Sequence, residues 1–466
     1  MAETPVAKNN RKPVATTELI NLAASVPPEF GADFLLSSIQ QKMPVGDAAA
    51  EQKLIEYSFE LASRAQEPMR RRALRGSAVD TRVGYRSSGY QLGLDRLSLQ
   101  TRAIELMLGR NPAKAVELAS EIRLPELPPL NCSDALAYDL EFVYKSLGSL
   151  VQQGFTAAQR RRERHLDFIR PYLAVTTPAQ IASAIGLLIQ IDPPDARFAE
   201  LLGTIAAGIV AAPTDVRASD YVSEATQQAI ASMVQVCTRR HLDSTALLAA
   251  YRLYLIASLE APRCSDAFST SEKEKPPAVV QFFNTKLAPA PPSDIAAITP
   301  DEVKHVGTLP GAAVYAFWQS EASSAILQGL KRLRFGGRHG EVSNEQKQSV
   351  EWQDDFGTLL SRIVDWTPSK GDDSMDFYQQ KAAAFQGMVD LAPPGRPRQM
   401  ALDSFCSFVR FGWDPTRRLE WFLPISRLLK TVDVTKDGQN EPVWRALSSC
   451  GDPILSLYTY WNRLRG

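Results

Sequence analysis

The residues best able to do chemistry in this sequence are acidic. Asp372, Asp373 and Asp376, in the run GDDSMDF, stand at i, i+1 and i+4. On one helix that spacing sets two carboxylates on adjacent turns of a face. A second acidic run, EWQDDF, carries Glu351, Asp354 and Asp355 beside Trp352 and Phe356. Here the aromatic residues and Leu359 mark the core-facing stripe, which turns the acids toward solvent. Basic chemistry concentrates in Arg70, Arg71, Arg72 and Arg75 and in the loop GSAVDTRVGYRSSGY, where Arg82 and Arg86 stand beside Tyr85 and Tyr90. Residues 64 to 110 hold ten Arg against four acids. Arginines with interleaved tyrosines in a Gly/Ser-rich loop can grip phosphate or stack on single-stranded bases. The plainer reading is a solvated helix end, whose cations suit the helix dipole, running into a loop. Arg160, Arg161, Arg162 and Arg164 form a second basic run, with Glu163 and Asp167 expected to pair inside it.

Nucleophilic and metal chemistry has few candidates. Cys237 and His241 stand at i, i+4, a spacing able to share a metal or form a nucleophile and base, with no further Cys or His nearby in sequence. His165 in the arginine run and His305 near a helix start read as solvated. RFGGRHGE, from Arg334 to Glu341, is Gly-rich with Arg338 and His339 but follows a helical stripe. Gly336 and Gly337 therefore read as a helix stop and not as a phosphate loop. GxSxG, HExxH and GxxxxGK[ST] do not occur. Cys132, Cys237, Cys264, Cys406 and Cys450 are odd in number, widely spaced and without a CxxC. The expectation is five buried thiols, with neither a disulfide framework nor a zinc site.

GDDSMDF resembles the aspartate-rich motif of the isoprenyl diphosphate synthases and class I terpene synthases. The resemblance implies a magnesium-dependent reaction on an isoprenoid diphosphate, with Asp372, Asp373 and Asp376 as the metal's ligands. A second aspartate-rich run is lacking, and DPTRRLE, from Asp414 to Glu420, departs from that family's downstream spacing. The run also follows TPSKG, so the aspartates fall at a helix start, where orphan backbone N–H groups favour acids without any metal.

The elements that must position these residues are helices. The chain has 466 residues, 44% of them hydrophobic, with 52 Lys+Arg balancing 52 Asp+Glu, so no global basic excess points to nucleic acid or an anionic membrane as main partner. Arg outnumbers Lys 36 to 16, which suits bidentate ion pairs on helix surfaces. Apolar residues recur at steps of three and four. Leu136, Leu140, Val143, Tyr144, Leu147 and Val151 mark one stripe; Ile181, Ile185, Leu188 and Ile189 a second; Phe198, Leu201, Leu202, Ile205 and Ile209 a third; Leu247, Leu248, Tyr251, Leu255 and Leu259 a fourth. Pro112, Pro178, Pro194 and Pro415 each open an apolar run, as proline at the first helical position does. Alternation of period two is nearly absent, and Val279 to Phe283 reads as readily as a short helix as a strand.

Residues 1–16 are a polar tail expected to be mobile, 17–260 an N-terminal helical unit, 261–300 a Pro- and Ser-rich linker or long loop, and 301–466 a C-terminal helical unit holding all seven Trp. With no run of 18 apolar residues to span a membrane and no apolar segment after the basic N-terminus, the chain reads as cytoplasmic, although one exported behind a removed leader would read the same way. Roughly 16 to 18 helices of ordinary length fit the stripes.

Residues 103 to 122, AIELMLGRNPAKAVELASEI, resemble the junction of a tetratricopeptide-like repeat. A helix ends at Gly109, Asn111 and Pro112 start the next, and Ala115 is the small residue that lets two helices approach. The resemblance implies antiparallel helix pairs stacked as an α-solenoid or helical array, a family of folds that mostly serves protein interaction. The sequence thus reads as all-α and as a non-catalytic scaffold binding a protein or peptide on a concave helical surface. The alternatives are the magnesium-dependent enzyme of the DDSMD segment and an anion or nucleic-acid binding adaptor using Arg70 to Arg86.

Overall fold

The structure is a computed structural model that describes residues 15–43, 45–65, 71–73, 88–124, 126–132, 136–217, 221–265, 278–290, 295–303, 308–310, 320–336, 340–370, 374–412, 422–423, 426 and 447–465. The expected mobile tail therefore lies outside these residues up to position 14. Among the described residues the protein is all-α, its helices packed in contacting pairs. Contacts divide it into two compact units, Glu67–Ala316 and a discontinuous one built from Met1–Gln66 and Phe317–Gly466.

The discontinuous unit begins with α1 (Thr16–Ala24), α2 (Pro28–Gln40) and α3 (Ala48–Ser63). Pro28 sits at the first position of α2, and Asp47 caps α3 by accepting from the Ala50 N–H at 2.9 Å. Gly31 brings α2 against the backbone of α1, where a Cβ would lie 2.3 Å from the Ala23 carbonyl oxygen.

The continuous unit follows with β1 (Arg71–Ala73), α4 (Arg96–Leu108), α5 (Pro112–Ser120), β2 (Leu136–Tyr138), α6 (Glu141–Gln153), α7 (Ala157–Arg161) and α8 (Arg164–Leu173). It continues through α9 (Ile181–Ile191), α10 (Asp195–Ala211), α11 (Glu224–Arg240), α12 (Thr245–Glu260), β3 (Arg263–Ser265) and β4 (Thr308–Pro310). Helix α4 packs on α5 and α6, α9 on α6 and α11, and α10 on α12. The α4–α5 junction is as expected from its residues: the helix stops at Gly109, the Asn111 side chain accepts from the Lys114 N–H at 3.1 Å, Pro112 opens α5, and Ala115 is fully buried.

The rest of the discontinuous unit comprises α13 (Glu321–Phe335), α14 (Val350–Asp365), α15 (Ser374–Leu391), α16 (Arg396–Gly412) and α17 (Pro453–Arg465). Its two ends meet where the Tyr458 hydroxyl donates to Asp33 Oδ2 at 2.6 Å and Phe422 packs, tilted, between Phe30 and Tyr458, with ring centroids 4.7 and 4.9 Å away. Lys381 on α15 is almost wholly buried, and its ammonium donates to the Val364 and Trp366 carbonyls at 2.8 and 2.7 Å, closing the C-terminus of α14. Burial holds its pKa below the ordinary lysine value, with Asp365 opposing the shift.

The structure departs from the sequence reading at four places. The first three helices pack with the C-terminal part of the chain, so the division does not fall at 261–300. The described residues of that stretch include part of the continuous unit's core: Ala278–Phe282 and the π-turn Phe283–Leu287 are helical, Phe283, Leu287 and Ile298 are buried, and Asn284 exchanges two hydrogen bonds with the Ile298 backbone. Its Pro and Ser content hides apolar residues that lack a clean period. Third, Arg71 and Arg72 belong to a strand and not to a helix end, because β1 pairs antiparallel with β2, and Leu136 leaves the stripe assigned to it to join that ladder. Lastly, only Cys237 is a free thiol. Cys132 bonds to Cys264 and Cys406 to Cys450, with Cα atoms 5.3 and 5.2 Å apart. Partners 132 and 44 residues away cannot be read from spacing.

Two measurements test these features. Alkylation of the denatured protein without reductant should modify one cysteine, and five after reduction; five before reduction would refute both bridges. Lys381→Met should leave the Val364 and Trp366 carbonyls without their ammonium donor and cost about 1–3 kcal/mol, read as a lowered midpoint in chemical denaturation.

Candidate functional site

Most residues singled out by their chemistry do not come together. Asp372 and Asp373 lie outside the described residues, and Asp376 sits in the first turn of α15, which begins at Ser374. Of the three aspartates only Asp376 is thus placed, at a helix start where an acid is favoured without a metal. Glu351, Asp354 and Asp355 are exposed on α14, opposite buried Trp352 and Phe356. Among the described residues no group of three His, Cys, Asp or Glu side chains is placed to hold a metal.

Cys237 is buried, and desolvation pushes its thiol up to about 11, while His241 is an exposed left-handed cap at the end of α11. The pair is thus a core thiol and a helix stop. Gly336 ends α13 in the left-handed region with φ 55°, its N–H donating to the Arg332 carbonyl at 2.7 Å, as its glycine suggests. His305, Arg338 and His339 lie outside the described residues.

The second basic run is structural. Arg160 donates to the Phe155 and Val151 carbonyls at 3.1 and 2.9 Å, satisfying the end of α6. Glu163 and Asp167 do not pair inside the run: both go to Arg197 on α10, at 3.1 and 3.0 Å, and Arg197 also holds Glu200. His165 is half-buried, and burial together with Arg160 lowers its pKa. Of the proposed anion-binding residues, Arg71 and Arg72 are placed by backbone alone, while Arg70, Arg75, Arg82 and Arg86 lie outside the described residues. The register sets Arg71 opposite Tyr138 and Arg72 opposite Ala137.

Tyr138 belongs to the feature that the residue-by-residue reading missed. A groove of about 390 Å³ runs over the outer face of α9, walled by α6 and α11. Helix α9 places Ile181, Ala184, Ile185 and Leu188 wholly inside the unit, and the opposite strip, Ala182, Ser183 and Gly186, forms the groove floor. Helix α11 contributes Ala225 and Ala229, so small residues recur at i, i+4 on both helices. Tyr138, Asp139 and Tyr221 close one end with Glu141 and Lys145 of α6 beside them, and Gln190 lines the other. Small side chains at such spacing let another backbone approach closely.

Gly186 is exposed, and a Cβ built there meets nothing within 4 Å. Gly203 and Gly357 are equally open, but neither lines the groove. At Gly148, by contrast, a Cβ would meet the Gln190 side-chain amide, which would have to swing aside. A hydrogen-bond relay fixes the groove from beneath. Gln180 Nε2 donates to the Tyr144 hydroxyl at 3.2 Å, Tyr144 donates to the Tyr172 carbonyl at 2.8 Å, and the Tyr172 hydroxyl donates to the Ala119 and Ile122 carbonyls at 3.0 and 2.9 Å. Burial raises Tyr144 above its ordinary value and Tyr172 to about 12, so both phenols stay neutral and serve as fixed hydrogen-bonding groups.

The groove offers shape and placed hydroxyl, amide and aromatic groups. A sequence signal existed in the spacing Ala182-xxx-Gly186 and Ala225-xxx-Ala229, small residues that fall between the apolar stripes. Because nothing packs on Gly186, Gly186→Ala should raise stability by about 0.5–1 kcal/mol through helix propensity alone, visible as a higher melting temperature; a loss would mean the floor is packed. No protein-family model, no curated protein and no solved structure matches the chain.

Proposed function

We propose that this protein is a non-catalytic helical scaffold whose groove over α9 receives a helical segment of a protein partner. The observation that carries this reading is the paired small-residue spacing on α9 and α11 at the base of a groove of about 390 Å³. A helix laid there meets Ala and Gly below and α6 and α11 on either side, which is how an amphipathic helix docks in a groove. The complementary segment has small or medium apolar residues at i and i+4 facing α9, with polar groups reaching Ser183, Gln190 and Thr226. Fixed side chains beneath the floor support the reading, since a pre-ordered surface loses little entropy on binding.

A second reading is favoured by the register of β1. Its backbone sets an arginine opposite Tyr138 at the closed end of the groove. A partner with a phosphate group at that end would gain charge-assisted hydrogen bonds. We also propose that the chain matures in an oxidising compartment and not in the cytoplasm. Two disulfides among the described cysteines support this, and no helix among the described residues is long and apolar enough to cross a membrane.

Gly186→Trp starts from a position whose Cβ meets nothing within 4 Å and places a ring in the groove, so affinity purification from the native host should lose the wild-type protein's partner while the far-UV circular dichroism spectrum keeps its helical form. Equal recovery by both proteins would refute groove binding. Arg71→Ala with Arg72→Ala should weaken capture at low salt and flatten its salt dependence if the partner carries phosphate, and change neither if it does not.

A further inference from the structure

Residues 126–132 and β2 form a strap whose end builds the tyrosine wall of the groove, and separate ties hold it to residues more than 80 positions away. The Leu130 N–H donates to Asp215 Oδ2 at 2.8 Å, Arg217 Nη2 donates to the Cys132 carbonyl at 3.0 Å, and the Tyr138 N–H donates to the Tyr221 hydroxyl at 2.8 Å. The other carboxylate oxygen of Asp215 accepts from the Arg217 N–H at 2.8 Å, which ties the two receiving residues together. Leu130, Ala137, Tyr138 and Tyr221 make one small buried cluster, separate from the helix faces. The Cys132–Cys264 bond is the covalent tie, joining the strap to β3. Cys132 is half-buried and Cys264 buried, so we place the attack at Cys132, the more exposed residue of the two.

Such a strap lies outside the packed helices and is held by one small apolar cluster and a few hydrogen bonds, so it has fewer ties to break than a helix and can open locally before the helices do. A covalent tie keeps it close to its docking residues even when the hydrogen bonds break, so they re-form as an intramolecular event. We propose that the Cys132–Cys264 disulfide is a redox-sensitive clasp: closed, it holds Tyr138 and Tyr221 together as the end wall of the groove; opened, it releases that wall. The consequence for partner binding rests on the groove reading above, whereas the effect on the wall does not.

Opening takes two electrons and two protons. A thiolate of a dithiol reductant attacks Cys132 Sγ and releases Cys264 as a thiolate, which is protonated. The reductant's second thiolate then displaces Cys132, which is protonated in turn, and the reductant leaves as a cyclic disulfide. Closure is the reverse exchange with a disulfide oxidant, which is reduced to two thiols.

Amide hydrogen exchange on the full chain, with dithiothreitol as the reductant and no partner present, tests the clasp. Reduction should speed exchange in residues 126–141 and 221–226 by about tenfold or more and leave α4 and α5 unchanged. A Cys132→Ser, Cys264→Ser double variant should show the fast exchange without reductant and not respond to it, which sets aside Cys406–Cys450 as the cause. Unchanged exchange in the strap on reduction would overturn the proposal. So would a general loss of protection and of far-UV circular dichroism, in the reduced protein or the variant, since the bond would then be a staple for the whole unit. The failure of partner binding, by contrast, would leave this result untouched.

Discussion

Burial of α9 is the constraint on which the continuous unit depends. Ile181, Ala184, Ile185 and Leu188 are wholly withdrawn from solvent, and four neighbours, α6, α8, α10 and α11, pack around that helix. Each buried Ile or Leu contributes roughly 1.5–3 kcal/mol by leaving water, so α9 cannot turn without losing most of its contacts. Its apolar inner face therefore dictates which residues look outward. Ala182, Ser183 and Gly186 face the groove because each stands one or two residues from Ile181 or Ile185, which face the core, and at 3.6 residues per turn such neighbours point well away from one another. The groove is in this sense a by-product of core packing, and its floor is as fixed as the core.

Polar groups then secure what packing alone leaves loose. The Gln180–Tyr144–Tyr172 relay ties α9, α6 and α8 to the end of α5 with directed hydrogen bonds. Arg160 closes α6, Arg240 on α11 holds Asp192 and Asp195 at 3.1 and 2.6 Å, and Arg252 grips Glu302 with two bonds of 2.7 and 2.8 Å. The abundance of arginine is thereby explained locally. Its planar fork reaches two acceptors at once, at helix ends where carbonyls and carboxylates gather. In the discontinuous unit a lysine takes that part, with Lys381 buried beneath the end of α14.

How much was legible in the sequence followed from how local each determinant is. The helix start at Pro112, the stop at Gly336, and the stripes of α9, α10 and α12 depend on residues within a turn or two of each other, and they were readable. The acids of α14 face solvent because Trp352 and Phe356 face inward, which was equally readable. Asp376 was harder: its helix start was visible, but the same spacing suited a metal. The tyrosine wall was hidden, since Tyr138 and Tyr221 stand 83 positions apart and meet through a backbone N–H and a hydroxyl.

The sequence by itself determined that this is an all-α protein, where many of its helices begin and end, and which faces they bury. Those are matters of period and of capping chemistry, which act over a few residues. Tertiary structure alone decided that α1 to α3 belong with α13 to α17, that Val280, Phe283, Leu287 and Ile298 enter the core, that four of five cysteines pair, and that α6, α9 and α11 enclose a groove. Each of these joins residues tens to hundreds of positions apart. Nothing in local spacing records such a meeting, because it is settled by how preformed faces fit together.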